Sequence, residues 1–486
     1  MYHDKTFKEQ TMKKLKIGFV AGFMDGFSTV GLDLFSYYQK ELDKLSKALD
    51  FEITHYKKIM LTIKDAREIR EDLDAKDIDF LLLFHPSYII GDLVFEIMKT
   101  GADVGLWAIE EPRDEGPMPL ASFVNMSQNS GIARHNFKGR PKKVKWFFGP
   151  MDSEFFKPRF EITVKALTAK KNLRNAKVAQ IGKLADGHIN HYSDVRDVYK
   201  YLGVDVSRDH EVEDVIAMSE EMPESLVQKE LKDLYSASYS ERIGKDKIVN
   251  SVKMFLLIRK ISEENDYSAV AFSCWPKLMP LEGMSGCLIN ALLNNTGIPA
   301  GCEADVLGTV SMLLLKILTG SSTVLMDLPK FDVKDNSLML WHCGTSPFDM
   351  ANKRGVKLER HYFADYSKDE NLKDCGPVTD VIFRDSDITV FRFTGDADQF
   401  YYFTGRTFDE DKKTFDGSRG WVKNLMLYDE PVKVIDLMNT LLVKGLPHHY
   451  PMVMQNVGKY IEEFAYWMDL KKAKKVEYKD YLYVSS

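Results

Sequence analysis

Short apolar runs alternate with stretches of helical periodicity through the first third of the chain. KIGFVA (16–21) is apolar and stops at Gly22. Residues 32–49 carry apolar side chains at helical spacing with a polar outer face. FEITHY (51–56) predicts a second strand, and 62–73 a helix whose Thr62 and Asp65 have capping-box spacing. IDFLLLF (78–84) is apolar almost throughout, as strands buried on both faces are. A short helix at 92–99 and strands at 104–109 and 144–148 follow. Strand and helix alternating at this interval predict a doubly wound parallel sheet.

A helix over 153–173 leads into a second alternating stretch that begins with KVAQIG (177–182). Residues 209–238 are acidic and helical, 247–263 form a long helix, and AVAF (269–272) is a strand. After residue 330 the texture changes to short alternating runs at 338–341, 378–383, 388–393 and 400–407, separated by turn residues. These predict an antiparallel, barrel-like domain, joined by helices at 432–442 and 457–467. The expected organisation is α/β: two doubly wound parallel-sheet domains (1–165 and 166–330), then a C-terminal antiparallel β domain with helices (331–486). Ligands in open parallel sheets bind beyond the carboxyl ends of the strands. Those ends carry 22–27, 85–88 and 110–113, with the amide-rich segment 125–136 assigned to the same rim. Neither a G-x-G-x-x-G after the first strand nor a G-x-x-x-x-G-K-[ST] is present, which argues against a nucleotide-dependent dehydrogenase.

The length, 486 residues, accommodates about three domains. At 44% hydrophobic, the chain has enough apolar side chains to build their cores. Lys and Arg number 66 against 72 Asp and Glu, a net charge of −6, which argues against a dedicated nucleic-acid or anionic-membrane binder. The five cysteines all follow residue 273, and their number is odd. That argues against a disulfide scaffold and favours a reducing, cytoplasmic setting. No CxxC pair occurs, so spacing disfavours a thiolate zinc site. The longest apolar run, 310–318, contains Lys316 and is too short to span a bilayer, and residues 1–10 do not resemble a signal peptide.

Candidate chemistry concentrates between 302 and 342. Glu303 stands at the entry of the apolar helix in GCEADVLGTVSMLLLKILTG; Asp327 is the end of a short apolar strand in STVLMDLPKF; His342 ends another, SLMLWH. Each polar residue stands where a buried element meets its loop. Carboxylates and imidazoles are the donors that hard divalent cations take while leaving positions open for substrate. A further pair, His448–His449 in GLPHHYPM, sits on a turn before the last helix. Singly, each has an ordinary explanation: a Glu favoured by a helix dipole, an Asp ending a strand, a hydrogen-bonded His, an exposed His pair. His188 and His191 (HINHY) are read as structural residues of a loop.

Together these pieces resemble the L-fucose isomerase and L-arabinose isomerase family. The 24-residue interval from Glu303 to Asp327, with the helix ending in Leu-Thr-Gly between them, is similar to the metal-carboxylate spacing of L-fucose isomerases. His342 and the second His of Gly-Leu-Pro-His-His are similar to ligands of L-arabinose isomerases. The chain departs from each family in being fucose-like in its second carboxylate and arabinose-like in its histidines. The resemblance implies an aldose–ketose isomerase that moves a proton between C1 and C2 of an open-chain sugar through an enediolate. It implies Mn²⁺, or Mg²⁺ or Co²⁺, held by Glu303, Asp327, His342 and His449, with Glu303 and Asp327 also the acid/base pair. Gln128, Trp341 and His448 would contact substrate. Gln128, with Asn125 and His85, would do so from a neighbouring subunit of a homo-oligomer, a trimer or hexamer. L-fucose, D-arabinose, L-arabinose and related sugars fit, as does a sulfonated hexose, whose anion Lys57, Arg113 or Arg134 could receive. The alternative is a non-catalytic sugar-binding or regulatory protein of the same fold.

Overall fold

In the computed structural model, β1 (Lys16–Ala21), β2 (Glu52–His55), β3 (Phe80–His85), β4 (Asp103–Ala108) and β5 (Val144–Phe148) form one sheet. The structure describes residues 12–137, 139, 141–240, 242–279, 283–408 and 412–483. The chain divides into two units: Met12–Lys171 with Lys459–Trp467, and Asn172–Gly458 with the residues from Met468 on.

The first unit is built on that sheet, in the order β2-β1-β3-β4-β5 with every pair parallel. All six residues of β3 are buried, the burial that its apolar run predicts for a central strand. The capping box at Thr62 is formed: its hydroxyl accepts the Asp65 amide at 3.2 Å while the Asp65 carboxylate accepts the Thr62 amide at 2.9 Å. Phe19, Phe84, Trp107 and Phe156 pack ring against ring across the core. The amide-rich segment lies on a helix, Ser122–His135. Its Asn125 is buried and exchanges two 2.9 Å hydrogen bonds with the backbone of Ile89, tying the helix to the turn after β3. Lys459–Trp467 joins this unit through Glu463, which pairs with Lys145 and accepts the Thr163 hydroxyl at 2.7 Å.

The second unit contains a four-stranded parallel sheet and a closed barrel. β6 (Lys177–Ile181), β7 (Asp205–His210), β8 (Ala269–Phe272) and β9 (Ala300–Cys302) form the sheet, in the order β9-β8-β6-β7. Six antiparallel strands close the barrel: β10 (Thr323–Asp332), β11 (Ser337–His342), β12 (Ser386–Thr394), β13 (Gln399–Phe408), β14 (Ser418–Leu427) and β15 (Tyr450–Val453). They run around the ring as β13-β12-β15-β10-β11-β14 and back to β13. Closure pairs every edge, the most complete way a sheet avoids an exposed template. Val378–Ile382 extends it by pairing parallel to β14, and Val356–Glu359 pairs with that strand in turn. Two parallel-sheet layers with helices, followed by an antiparallel barrel, is the architecture expected from the sequence. Among the described residues, no helix is long and apolar enough to cross a membrane.

One local expectation changes and another gains detail. β10 does not end at Asp327 but runs to Asp332, with a register shift between Asp327 and Lys330. Pro329, lacking a backbone donor, sits in that irregularity, as proline in a sheet must. The His448–His449 turn leads into β15, and the last helix, Gly458–Met468, comes only afterwards.

Candidate active site

Glu303 stands one residue beyond β9, at the carboxyl end of a parallel strand. Glu303 and Ala304 both have left-handed backbones, with φ of 60° and 56°. Two consecutive non-glycine residues in this region cost about 1–3 kcal/mol each, strain that is retained where the surrounding structure enforces it. The chain then enters the buried helix Val306–Thr319, capped by Asp305, whose carboxylate accepts the Gly308 amide at 2.9 Å.

Asp327 comes from β10, His342 from the end of β11, and His449 from the turn before β15. Donor atoms of Asp327, His342 and His449 lie within 4.8 Å of one another, and so do those of Glu303, His191, His448 and His449. His449 belongs to both groups, and its Nε2 is 3.4 Å from Glu303 Oε2. The four residues expected to share an ion, Glu303, Asp327, His342 and His449, are therefore neighbours.

The structure adds residues that the sequence leaves out. The Nε2 of His188 is 2.9 Å from Glu303 Oε2. The His191 ring packs on both His449 and His448, with centroids 4.0 and 4.2 Å away. Asp305 lies fully buried behind His449, accepting its Nδ1–H at 2.8 Å and the Arg392 guanidinium at 2.7 and 2.9 Å. That contact assigns the tautomer of His449 and turns its Nε2 toward Glu303. An Asp three residues before a helical Gly is a legible cap signal, but its burial against Arg392, 87 positions on, is visible only in three dimensions.

Electrostatics follow from burial. Asp327 is pushed up to about 7, first by burial and then by the nearby Glu303 charge, with His449 opposing. Burial works against charge on His449 too, but its hydrogen bonds to Asp305 and Glu303 outweigh it and lift the imidazole to about 9. Burial likewise raises Glu303, yet His449, His188 and His342 together bring it below its ordinary value. His342 is pushed down to about 3 by burial and by the charge on His449. Its Nδ1 accepts the Cys343 amide at 2.9 Å, which puts the neutral ring's proton on Nε2; it ligates a cation only once that proton has moved.

A divalent cation fits this donor set. Glu303 Oε2 and Asp327 Oδ1 are buried without an aligned hydrogen-bond partner, and so are both ring nitrogens of His191. Buried polar atoms left so are rare in native proteins and call for an occupant. The donors are carboxylate oxygen and imidazole nitrogen, the chemistry that Mn²⁺ and its neighbours accept.

The residues expected to contact substrate are placed differently. Trp341 is half-buried; its indole donates to Asp416 O at 2.6 Å and stacks beside His342. His448 is exposed next to His191 and lies 3.2 Å from the Asn190 amide. Gln128 belongs to the first unit, where its side-chain oxygen accepts the Tyr88 hydroxyl. His85 and Asn125, named with it, are fully buried and hold that unit together: the His85 ring contacts Trp107 O at 3.3 Å and Asn129 at 3.0 Å. Lys57, Arg113 and Arg134 are exposed in the same unit, and the Arg113 guanidinium is engaged by Pro117 O.

No protein-family model matches the chain. A guanine deaminase structure from C. acetobutylicum with bound guanine aligns over 61% of each chain at 11% identity with a TM-score of 0.17, too low to bear on fold or chemistry. A sulfoquinovose isomerase of Clostridium sp. is 32% identical over 100 residues, 21% of this chain and 22% of its own. That of Alkalicoccus urumqiensis is 22% identical over 364 residues, 74% of this chain and 77% of its own. Over 451 residues, 92% of this chain and 96% of its counterpart, the sequence is similar at 20% identity to the sulfoquinovose isomerase of Priestia aryabhattai.

Proposed function

We propose that this chain is a metal-dependent aldose–ketose isomerase whose substrate is sulfoquinovose or a closely similar sulfonated hexose. The enzyme class rests on the end-to-end similarity to sulfoquinovose isomerases. The chemistry rests on one observation: two carboxylates and His449 meet in a buried site in which Asp327 Oδ1 lacks a partner and Glu303 Oε2 faces only histidine rings.

Glu303, Asp327 and His449 would hold the cation, with His342 joining when its Nε2 proton is displaced. A divalent ion there supplies Lewis acidity toward the sugar oxygens and charge stabilisation for an enediolate. Asp305 keeps the His449 ring in one tautomer and one orientation. Glu303 and Asp327, on supports from different layers, are the acid/base pair that carries a proton between C1 and C2. Asp327 titrates near neutrality without the ion, a range suited to giving and taking a proton. His188 borders Glu303 and would hydrogen-bond a sugar hydroxyl, while the buried His191 ring packs beside His449 and could join the ligands.

The test is aldose-to-ketose conversion by chelator-stripped protein, with and without added Mn²⁺, over sulfoquinovose, L-fucose, L-arabinose and D-arabinose. Turnover of sulfoquinovose that depends on Mn²⁺ and disappears in Glu303→Gln, with the circular dichroism unchanged, is the expected result. Full turnover in EDTA, or in Glu303→Gln, would reject the metal–carboxylate mechanism; turnover of the neutral sugars alone would reject the substrate.

A further inference from the structure

A second cluster of donors lies beside the first and takes no part in the chemistry above. Cys287 is the first residue of the helix Cys287–Asn295, Cys343 follows β11, and His361 follows the strand Val356–Glu359. One donor atom from each lies within 4.8 Å of the other two. In a tetrahedral site with metal–sulfur and metal–nitrogen distances of about 2.3 and 2.0 Å, donors stand roughly 3.5–3.8 Å apart. The trio is thus close to ligand spacing before any ion draws it in.

We propose that Cys287, Cys343 and His361 form a site for a thiophilic cation such as Zn²⁺, distinct from the oxygen-rich site at Glu303. Three features argue for it. Cys287 and His361 are almost wholly buried, while Cys343 is half-buried and offers a way in. His361 Nε2 is buried without an aligned hydrogen-bond partner, and its ring lies against the Cys287 thiol, a nitrogen facing two sulfurs. Cys287 opens a nine-residue helix, where the aligned backbone amides favour a thiolate over a thiol. No disulfide occupies the pair, because all five cysteines are free. His361 Nδ1 receives the Phe363 amide at 3.1 Å, a local contact that gives way as the ring proton leaves Nε2 on binding. The missing CxxC spacing bears only on sequence neighbours; here a helix, a strand end and a loop supply one ligand each.

Soft sulfur donors separate this site from the carboxylate site by ligand preference, and that makes it testable without turnover. The full-length protein is stripped with chelator, kept reduced and titrated with Co²⁺, whose bond to thiolate gives an intense near-ultraviolet charge-transfer band that oxygen and nitrogen ligands do not. One equivalent of band-forming Co²⁺ is expected, displaced by Zn²⁺ and not by Mn²⁺. The band should vanish in Cys287→Ser and in Cys343→Ser and weaken in His361→Gln. It should persist in Glu303→Gln and in Cys274→Ser, the latter removing the neighbouring thiol that contacts Cys302 at 2.9 Å. Absence of the band from the unmodified protein overturns the proposal, with no variant needed. So does a band that survives Cys287→Ser, or one that requires Cys274 instead.

Discussion

Asp305 offers the sharpest test of how the site is held. Its carboxylate is the only acid hydrogen-bonded to Arg392 among the described residues, and both side chains are completely buried. Asp305→Asn keeps the shape and can still accept the Gly308 amide, so the cap, worth about 1 kcal/mol, is largely retained. What disappears is the charge facing Arg392 and His449. Breaking a buried pair from one side costs about 3–5 kcal/mol, because the abandoned guanidinium has no water to turn to. Removing the stranded charge as well, as Asp305→Asn with Arg392→Met, should recover most of that loss, since the amide oxygen still caps Gly308 and no unpaired guanidinium remains. To read this part of the second unit directly, the assay is hydrogen exchange of the amides of the helix Val306–Thr319. Protection should fall by the full penalty in the single variant and return in the double. Mn²⁺ affinity should drop about 10–100-fold in the single variant as His449 loses its orienting partner. A single variant within 1 kcal/mol of wild type, or a double variant as weak as the single, would refute the reasoning.

Two further outcomes follow from neighbouring features. A Cβ at Gly308 would run into the Asp305 carboxylate and the Arg392 guanidinium; Gly308→Ala should therefore destabilise the unit, although helix propensity alone predicts a gain of about 1 kcal/mol, and a raised unfolding temperature would contradict this. In the first unit, burial holds His85 neutral, its pKa pushed down to about 4 against hydrogen bonds that would raise it. Once unfolded, that ring binds a proton below about pH 6.5, so stability falls as pH drops from 6.5 toward 4, by about 3 kcal/mol in all, and levels off below. His85→Gln should flatten this part of the pH dependence in thermal unfolding; identical slopes for wild type and variant would show that His85 is not its source.

Much of the fold is legible in the sequence because burial and period coincide. β3 is buried on both faces and written as one apolar run; β12 and β13 are rich in aromatic and β-branched residues and pair over nine residues in unbroken register. The failures have physical causes. β7, DVSRDH, is an edge strand with no fully buried residue, so it leaves no hydrophobic signature. β10 reads as ending at Asp327 because Leu-Pro follows, whereas the register shift absorbs the proline. At the site, Glu303, Asp327, His342 and His449 stand out because each is polar at the end of an apolar stretch. His188 and His191 lie in a loop among other polar residues, and nothing local distinguishes them; only the packing of that loop against the His448–His449 turn reveals them.

The left-handed pair at Glu303–Ala304 joins two layers that fold by different rules, and His449 arrives 146 positions later. No fragment that stops short of that turn contains all four of the proposed ligands, however well its strands have formed. A chain emerging from the ribosome would thus carry both carboxylates long before it could grip an ion firmly, and catalytic competence would come late in synthesis, all at once.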